Sequence, residues 1–209
     1  VTRISKHIRT RLVATGAAVV VAALALTGCS SSSNDTLANQ YGKGTTQNYI
    51  SGDGAITEIA VDKRTDPVQF SATASNGDSV TSAALKGKVV VLNFWYAGCP
   101  PCRAEAGYLT KASKQYRGKD VQFVGVNVRD EAGTAAAFER TYGVDYPTIL
   151  DADKGTMQLA LSGKVAPNSV PTTIILDKKG RVAARVLGAI DGPGILDTLV
   201  DDALTGKSA

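Results

Sequence analysis

The chain carries one junction that most restricts its fold. Lys88-Val89-Val90-Val91-Leu92-Asn93-Phe94-Trp95 is almost unbroken apolar sequence, as expected of a strand buried on both faces. Four residues later comes Cys99-Pro100-Pro101-Cys102, and the stretch 103–116 that follows has helical character. A Cys-x-x-Cys pair between a buried strand and a helix places its first sulfur at the helix N-terminus. There the helix dipole and free N–H groups favour thiolate, the species that attacks disulfides. The spacing predicts Cys99 at the exposed end as nucleophile and Cys102 one turn inward as resolving thiol. Pro101 suits a first-turn position, but neither proline has an N–H. The Cys102 amide is then the nearest donor within the motif for the Cys99 sulfur, which predicts only modest thiolate stabilisation.

The rest of the sequence supplies an α/β sheet around this junction. Residues 68–72 and 79–81 flank Asn76-Gly77-Asp78, a hairpin signal in which Asn-Gly supplies positive φ. Residues 121–128, 147–150, 172–176 and 181–187 read as strands, and 134–142, 156–161 and 195–204 as helices. Asp177-Lys178-Lys179-Gly180 has a tight-turn composition, so the last two strands form a hairpin. The order predicts a mixed central sheet covered by helices on both faces.

The N-terminal segment sets the expected compartment. Arg3, Lys6, Arg9 and Arg11 precede an apolar run over 12–26, too short to favour a membrane-spanning helix and suited to a secretory signal. The run ends in Leu26-Thr27-Gly28-Cys29, which looks like a bacterial lipobox with Cys29 as the lipidated residue. The competing readings are a plain secretory signal with an incidental cysteine, or an uncleaved anchor. On the lipobox reading, 1–28 is a signal peptide, 29–54 is the lipidated cysteine with a polar, flexible tether, and 55–209 is one folded domain.

Cleavage after residue 28 reshapes the chemistry available. Of 23 basic residues the signal takes four, leaving 19 of each sign, so the apparent basicity is a targeting feature and no nucleic-acid partner is expected. His7, the sole histidine, leaves too, which removes Ser-His and Cys-His hydrolase mechanisms. A structural zinc site needs about four ligands, and with Cys29 lipidated only Cys99 and Cys102 remain; no metal or cofactor is expected. A purely structural disulfide over so few residues would stabilise little, which leaves redox exchange.

These residues carry a family resemblance. Asn93-Phe94-Trp95-Tyr96-Ala97-Gly98-Cys99-Pro100-Pro101-Cys102-Arg103-Ala104-Glu105 closely resembles the active site of TlpA/ResA-like thioredoxin-fold proteins. Leu85-Lys86-Gly87-Lys88 and Val170-Pro171-Thr172-Thr173 extend the likeness, and 129–151 resembles the insertion that separates this family from plain thioredoxin. The resemblance implies a thioredoxin-like fold and an exported thiol–disulfide oxidoreductase. It implies an acid–base role for Glu105, which shares a helix face with Cys102; the alternative is a solvated first-turn carboxylate. It implies a cis Pro171 packed against the disulfide, exposing backbone for a substrate strand; the alternative is a trans proline starting an edge strand. Asn93 stands where thioredoxin commonly has a buried acid, shifting proton handling to Glu105 or water. Gly98 replaces an aromatic residue often found there, which predicts a more open rim beside Cys99. Trp95 is expected to pack under the active-site loop rather than take part in chemistry.

The family-level expectation is a reductase of protein disulfides, apocytochrome c among them. A transmembrane protein would supply its electrons, and the bilayer would hold its anchor. A disulfide-forming oxidase on the same scaffold, a peroxiredoxin and a non-catalytic peptide-binding lipoprotein are the competing functions.

Overall fold

The computed structural model describes residues 55–164 and 169–207. The expected signal peptide, Cys29 and the tether over 29–54 lie outside the described residues. Strands are β1 (Ala55–Glu58), β2 (Ser71–Thr73), β3 (Ser79–Thr81), β4 (Val89–Trp95), β5 (Val121–Asn127), β6 (Thr148–Leu150), β7 (Thr172–Leu176) and β8 (Val182–Leu187). Helices are α1 (Pro100–Gln115), α2 (Ala132–Tyr142), α3 (Thr156–Ala160) and α4 (Pro193–Thr205), with a short 3₁₀ turn at Val61–Lys63.

Six strands form one sheet in the order β1-β8-β7-β4-β5-β6. The β4–β5 and β5–β6 pairs are parallel, while β7 runs antiparallel to β4, and β8 and β1 continue antiparallel outward. This is the mixed, thioredoxin-like α/β sheet that the sequence predicts. All seven residues of β4 are buried, as its unbroken apolar run requires. Its side chains alternate between two cores. Val90, Leu92 and Phe94 join a cluster with Val124, Val126, Ile174 and Met157, while Val89 and Val91 meet Leu109 and Ala112 of α1 and Leu196 and Val200 of α4.

The hairpin forms where Asn-Gly predicts it, with Gly77 at φ 91°. It is shorter than expected, because residues 68–70 leave the ladder. Val68 donates its N–H to the Gly180 carbonyl at 2.8 Å, and the Phe70 N–H reaches Ser82 Oγ at 3.2 Å. Both side chains are buried, and across the hairpin Phe70 keeps one backbone bond, its carbonyl accepting the Ser82 N–H at 3.0 Å, so the apolar alternation reflects mainly core packing. The strand β1, which sequence periodicity does not signal, pairs with β8 at the sheet edge. Among the described residues no helix is long and apolar enough to cross a membrane.

Candidate active site

The site grows from the end of β4. The chain leaves the sheet after Trp95, turns through Tyr96-Ala97-Gly98, and starts α1 with Cys99 as its N-cap and prolines in the first two helical positions. The prolines fit because the first N–H groups of a helix have no partner within it. Cys99 and Cys102 form a disulfide with their Cα atoms 5.3 Å apart. The Cys102 N–H donates to Cys99 Sγ at 3.2 Å, the one-donor arrangement expected from two adjacent prolines.

Cys99 does not sit at an exposed end. In the disulfide form its relative exposure is 0% and that of Cys102 is 2%. Cys99 belongs to a buried cluster with Tyr96 and Val170. Nor is the rim beside it vacated by the missing side chain at Gly98. A Cβ built on Gly98 would lie 3.2 Å from Tyr96 Cε2, so the Tyr96 ring occupies the space beside that position. The Arg129 guanidinium stacks over the Tyr96 ring, 4.0 Å from its centroid.

The approach loop is held at both peptide faces of Ala97. Its N–H donates to Asp130 Oδ2 at 2.6 Å, and its carbonyl accepts from Arg103 Nε at 2.8 Å. Asp130 is itself fixed by Asn127, whose Nδ2 donates to Asp130 Oδ2 at 2.8 Å and whose Oδ1 accepts the Asp130 N–H at 2.7 Å. Sequence reasoning missed Tyr96, Arg103, Asn127, Arg129 and Asp130. The Asn-x-x-Asp spacing after a strand is an Asx-turn signal that could have flagged the last bracket.

Glu105 lies within α1, fully buried and not solvated. Oε1 accepts from Asn93 Nδ2 at 2.8 Å, and Oε2 accepts the Ile190 N–H at 2.9 Å. Asn93 Nδ2 also donates to Thr173 Oγ1 at 3.1 Å, joining β4, β7 and α1. Burial pushes the Glu105 pKa from 4.5 up to about 7, against the opposing pull of the Ile190 and Asn93 hydrogen bonds. A carboxyl poised there can take or give a proton near neutral pH.

The Val170–Pro171 peptide is cis, as the resemblance implied, and both residues are buried. Trp95 packs on Phe138 with ring centroids 4.2 Å apart and is a core residue. Thus Cys99, Cys102, Glu105 and Asn93 gather around the start of α1, and Pro171 precedes β7, whose Thr172 pairs with Phe94 near the end of β4. Among the described residues no group of three or more His, Cys, Asp or Glu could hold a metal ion.

Residues 60–199 match the Redoxin family. The chain is 32% identical over 131 residues to the thiol-disulfide oxidoreductase ResA of Bacillus subtilis, covering 63% of this chain and 70% of that one. It is 29% identical over 119 residues to ResA of Bacillus cereus, covering 57% of this chain and 66% of the relative. Among solved structures, a DsbF homologue from Corynebacterium diphtheriae superposes with a TM-score of 0.63 at 34% identity, over 76% of this chain and 99% of that one. A secreted thiol-disulfide isomerase from Corynebacterium glutamicum gives 0.63 at 30% identity, over 76% and 99%.

Proposed function

The chain belongs to the Redoxin family and is a thiol–disulfide oxidoreductase of the ResA type, and we propose that it acts outside the cytoplasm as a reductase of protein disulfides, tethered through Cys29. The observation that carries the direction is the surroundings of the Cys99 sulfur. Oxidants of this chemistry are strong because their reduced form is stabilised, chiefly as thiolate. Here the motif supplies the Cys102 amide, two prolines contribute no N–H, and a carboxyl group is sealed within α1. A weakly stabilised thiolate leaves the disulfide form favoured and the dithiol a good electron donor.

The reaction balances as two exchanges. The Cys99 thiolate attacks one sulfur of the substrate disulfide, forming a mixed disulfide and releasing a substrate thiolate, which takes a proton. Cys102 gives its proton to Glu105, and its thiolate attacks Cys99 Sγ. That second step breaks the mixed disulfide, releases the other substrate sulfur as a thiolate that takes a proton from solvent, and leaves Cys99–Cys102 oxidised. By family resemblance, an extended substrate segment pairs with the backbone ahead of Pro171. A transmembrane donor re-reduces the pair, and apocytochrome c is the favoured substrate by family resemblance. The signal-like 1–28 segment supports the location, as does the secreted relative from Corynebacterium glutamicum.

Two experiments test this reading. Cys102→Ser should accumulate mixed disulfides through Cys99 with its natural substrates, and Cys99→Ser should trap none; equal trapping by both variants would refute the assigned order of attack. Radioactive fatty acid should label the full chain but not Cys29→Ala, and label retained in that variant would remove the anchor.

A further inference from the structure

Two spaces within the domain share a wall. One is a cleft of about 530 Å³ between the β2–β3 hairpin, the start of β5 and the segment joining α2 to β6, with Glu139, Asp145, Tyr146 and Thr148 in its lining. The other is a small cavity of about 10 Å³ bounded by Asn93, Trp95, Cys102, Phe138 and Tyr146 among others. That volume is near the least that admits one water molecule, and Asn93 and Tyr146 offer the polar partners such a water needs. Tyr146 borders both spaces.

The exchange chemistry gains from such a link. Cys102 gives up a proton in each cycle and regains one on re-reduction, so a path between the buried site and solvent lets both proton movements proceed without waiting for a substrate thiolate. Cys102 is 2% exposed and Glu105 0%, so neither meets bulk water in the disulfide form.

We propose that Tyr146 is the proton relay between the buried Cys102–Glu105 pair and solvent, passing the proton from the cavity beside Cys102 to the acidic cleft, where Glu139 receives it. The inference rests on the reading of Cys102 as resolving thiol and Glu105 as its proton acceptor.

Glu139 fits the receiving end. Its Oε1 is buried and has no hydrogen-bond partner, the Tyr146 hydroxyl included, so it keeps an open acceptor site that a water in the cleft lined by both residues can bridge. The charged groups facing the Tyr146 phenol are Glu105 from α1, Glu139 from α2 and Asp145 beside it. Asp145 is already engaged by the Arg117 guanidinium and by Ser113 Oγ at 2.9 Å. Burial first, then the Glu105, Asp145 and Glu139 carboxylates, hold the phenol proton tightly. Tyr146 therefore relays without ionising. After the Cys102 thiolate has expelled the substrate thiolate, protonated Glu105, which stands behind the cavity wall on Asn93 at 2.8 Å, gives its proton to the cavity water. That water protonates the Tyr146 oxygen as the phenol hydrogen moves through a cleft water to Glu139. Glu139 then releases a proton to the cleft, and every group returns to its starting state. Both Tyr146 and Glu139 lie in the 129–151 insertion, which would give that segment a function beyond packing.

Reduced protein mixed with an aromatic disulfide that releases a coloured thiol separates the steps, because Cys99 releases the first equivalent and Cys102 the second. Tyr146→Phe keeps the ring that packs 5.9 Å from Phe123 and removes only the hydroxyl. It should slow the second phase about tenfold at neutral pH, leave the first phase unchanged, and recover as rising hydroxide takes the proton directly. Glu139→Gln should slow the same phase. An unchanged second phase in Tyr146→Phe, or both phases slowed alike at every pH, would overturn the relay. Glu105→Gln run in parallel separates the failures. A slowed second phase there with Tyr146→Phe unaffected removes only the relay, whereas an unaffected Glu105→Gln removes the acceptor role and the relay with it.

Discussion

The carboxylate of Glu105 accepts the side-chain amide of Asn93 at 2.8 Å in the sealed interior between α1 and β4. A buried neutral amide therefore holds a buried acid in place. The acid stands on the helix that carries both cysteines, and the strand residue positions it.

That arrangement predicts a specific dependence of stability on pH. Because burial raises the Glu105 pKa from 4.5 to about 7, the native state binds this proton more tightly than the unfolded chain. The resulting stability is complete below pH 4.5 and is lost as pH rises to about 7. Gln at this position has no proton to lose, and Asn93 can turn its amide to keep both hydrogen bonds satisfied. Relative to Glu105→Gln, the unsubstituted protein should lose about 3 kcal/mol across that window. Urea unfolding of both proteins at several pH values checks this, and parallel curves would contradict it.

Asp177 anchors the opposite end of the sheet. It accepts from Arg64 Nη1 at 3.1 Å, Arg181 Nε at 2.9 Å, and the N–H groups of Lys179 and Arg181. Burial alone would push its pKa up, but the Arg181, Arg64 and Lys179 hydrogen bonds outweigh this and lower it. Its stabilising contribution is thus present at neutral pH and lost as pH falls through the depressed native value. Asp177→Asn would leave the Arg64 side chain, itself 4% exposed, as an uncompensated buried charge. A loss of roughly 3 kcal/mol at neutral pH is expected, shrinking towards low pH, as read from denaturant midpoints.

Gly125 marks where β5 must come close to its neighbours. A Cβ there would lie 2.7 Å from Thr148 Oγ1 and 3.1 Å from Trp95 Nε1. Gly125→Ala should destabilise by about 1–3 kcal/mol through overpacking. It should also disturb Trp95, so a shift in tryptophan emission is expected to accompany the lower thermal midpoint; an unchanged midpoint would show that the gap closes without cost.

Much of this was legible in the sequence because local signals and tertiary demands agree. The apolar run of β4 is buried throughout, and Cys99, Cys102, Glu105 and Asn93 meet because one strand-to-helix junction carries all four. The signals failed where the cause is distant. The four residues of β1 have no strong alternation and form a strand only by pairing with β8, more than a hundred residues away. Residues 68–70 show strand-like alternation, yet their backbone bonds go to Gly180 and Ser82. The rim beside Cys99 depends on Tyr96 filling the space next to Gly98 and on Arg129 arriving from beyond β5. No local pattern encodes that meeting.

If the Cys99–Cys102 pair donates electrons, its reduction potential lies in the reducing range. Equilibration of residues 55–209 in glutathione buffers, with the thiols counted after acid quenching, gives the value. A potential below about −220 mV, in the reducing range of thioredoxin-type donors, is predicted. A potential near about −120 mV, where strong periplasmic oxidants lie, would contradict the account and make the pair an oxidant.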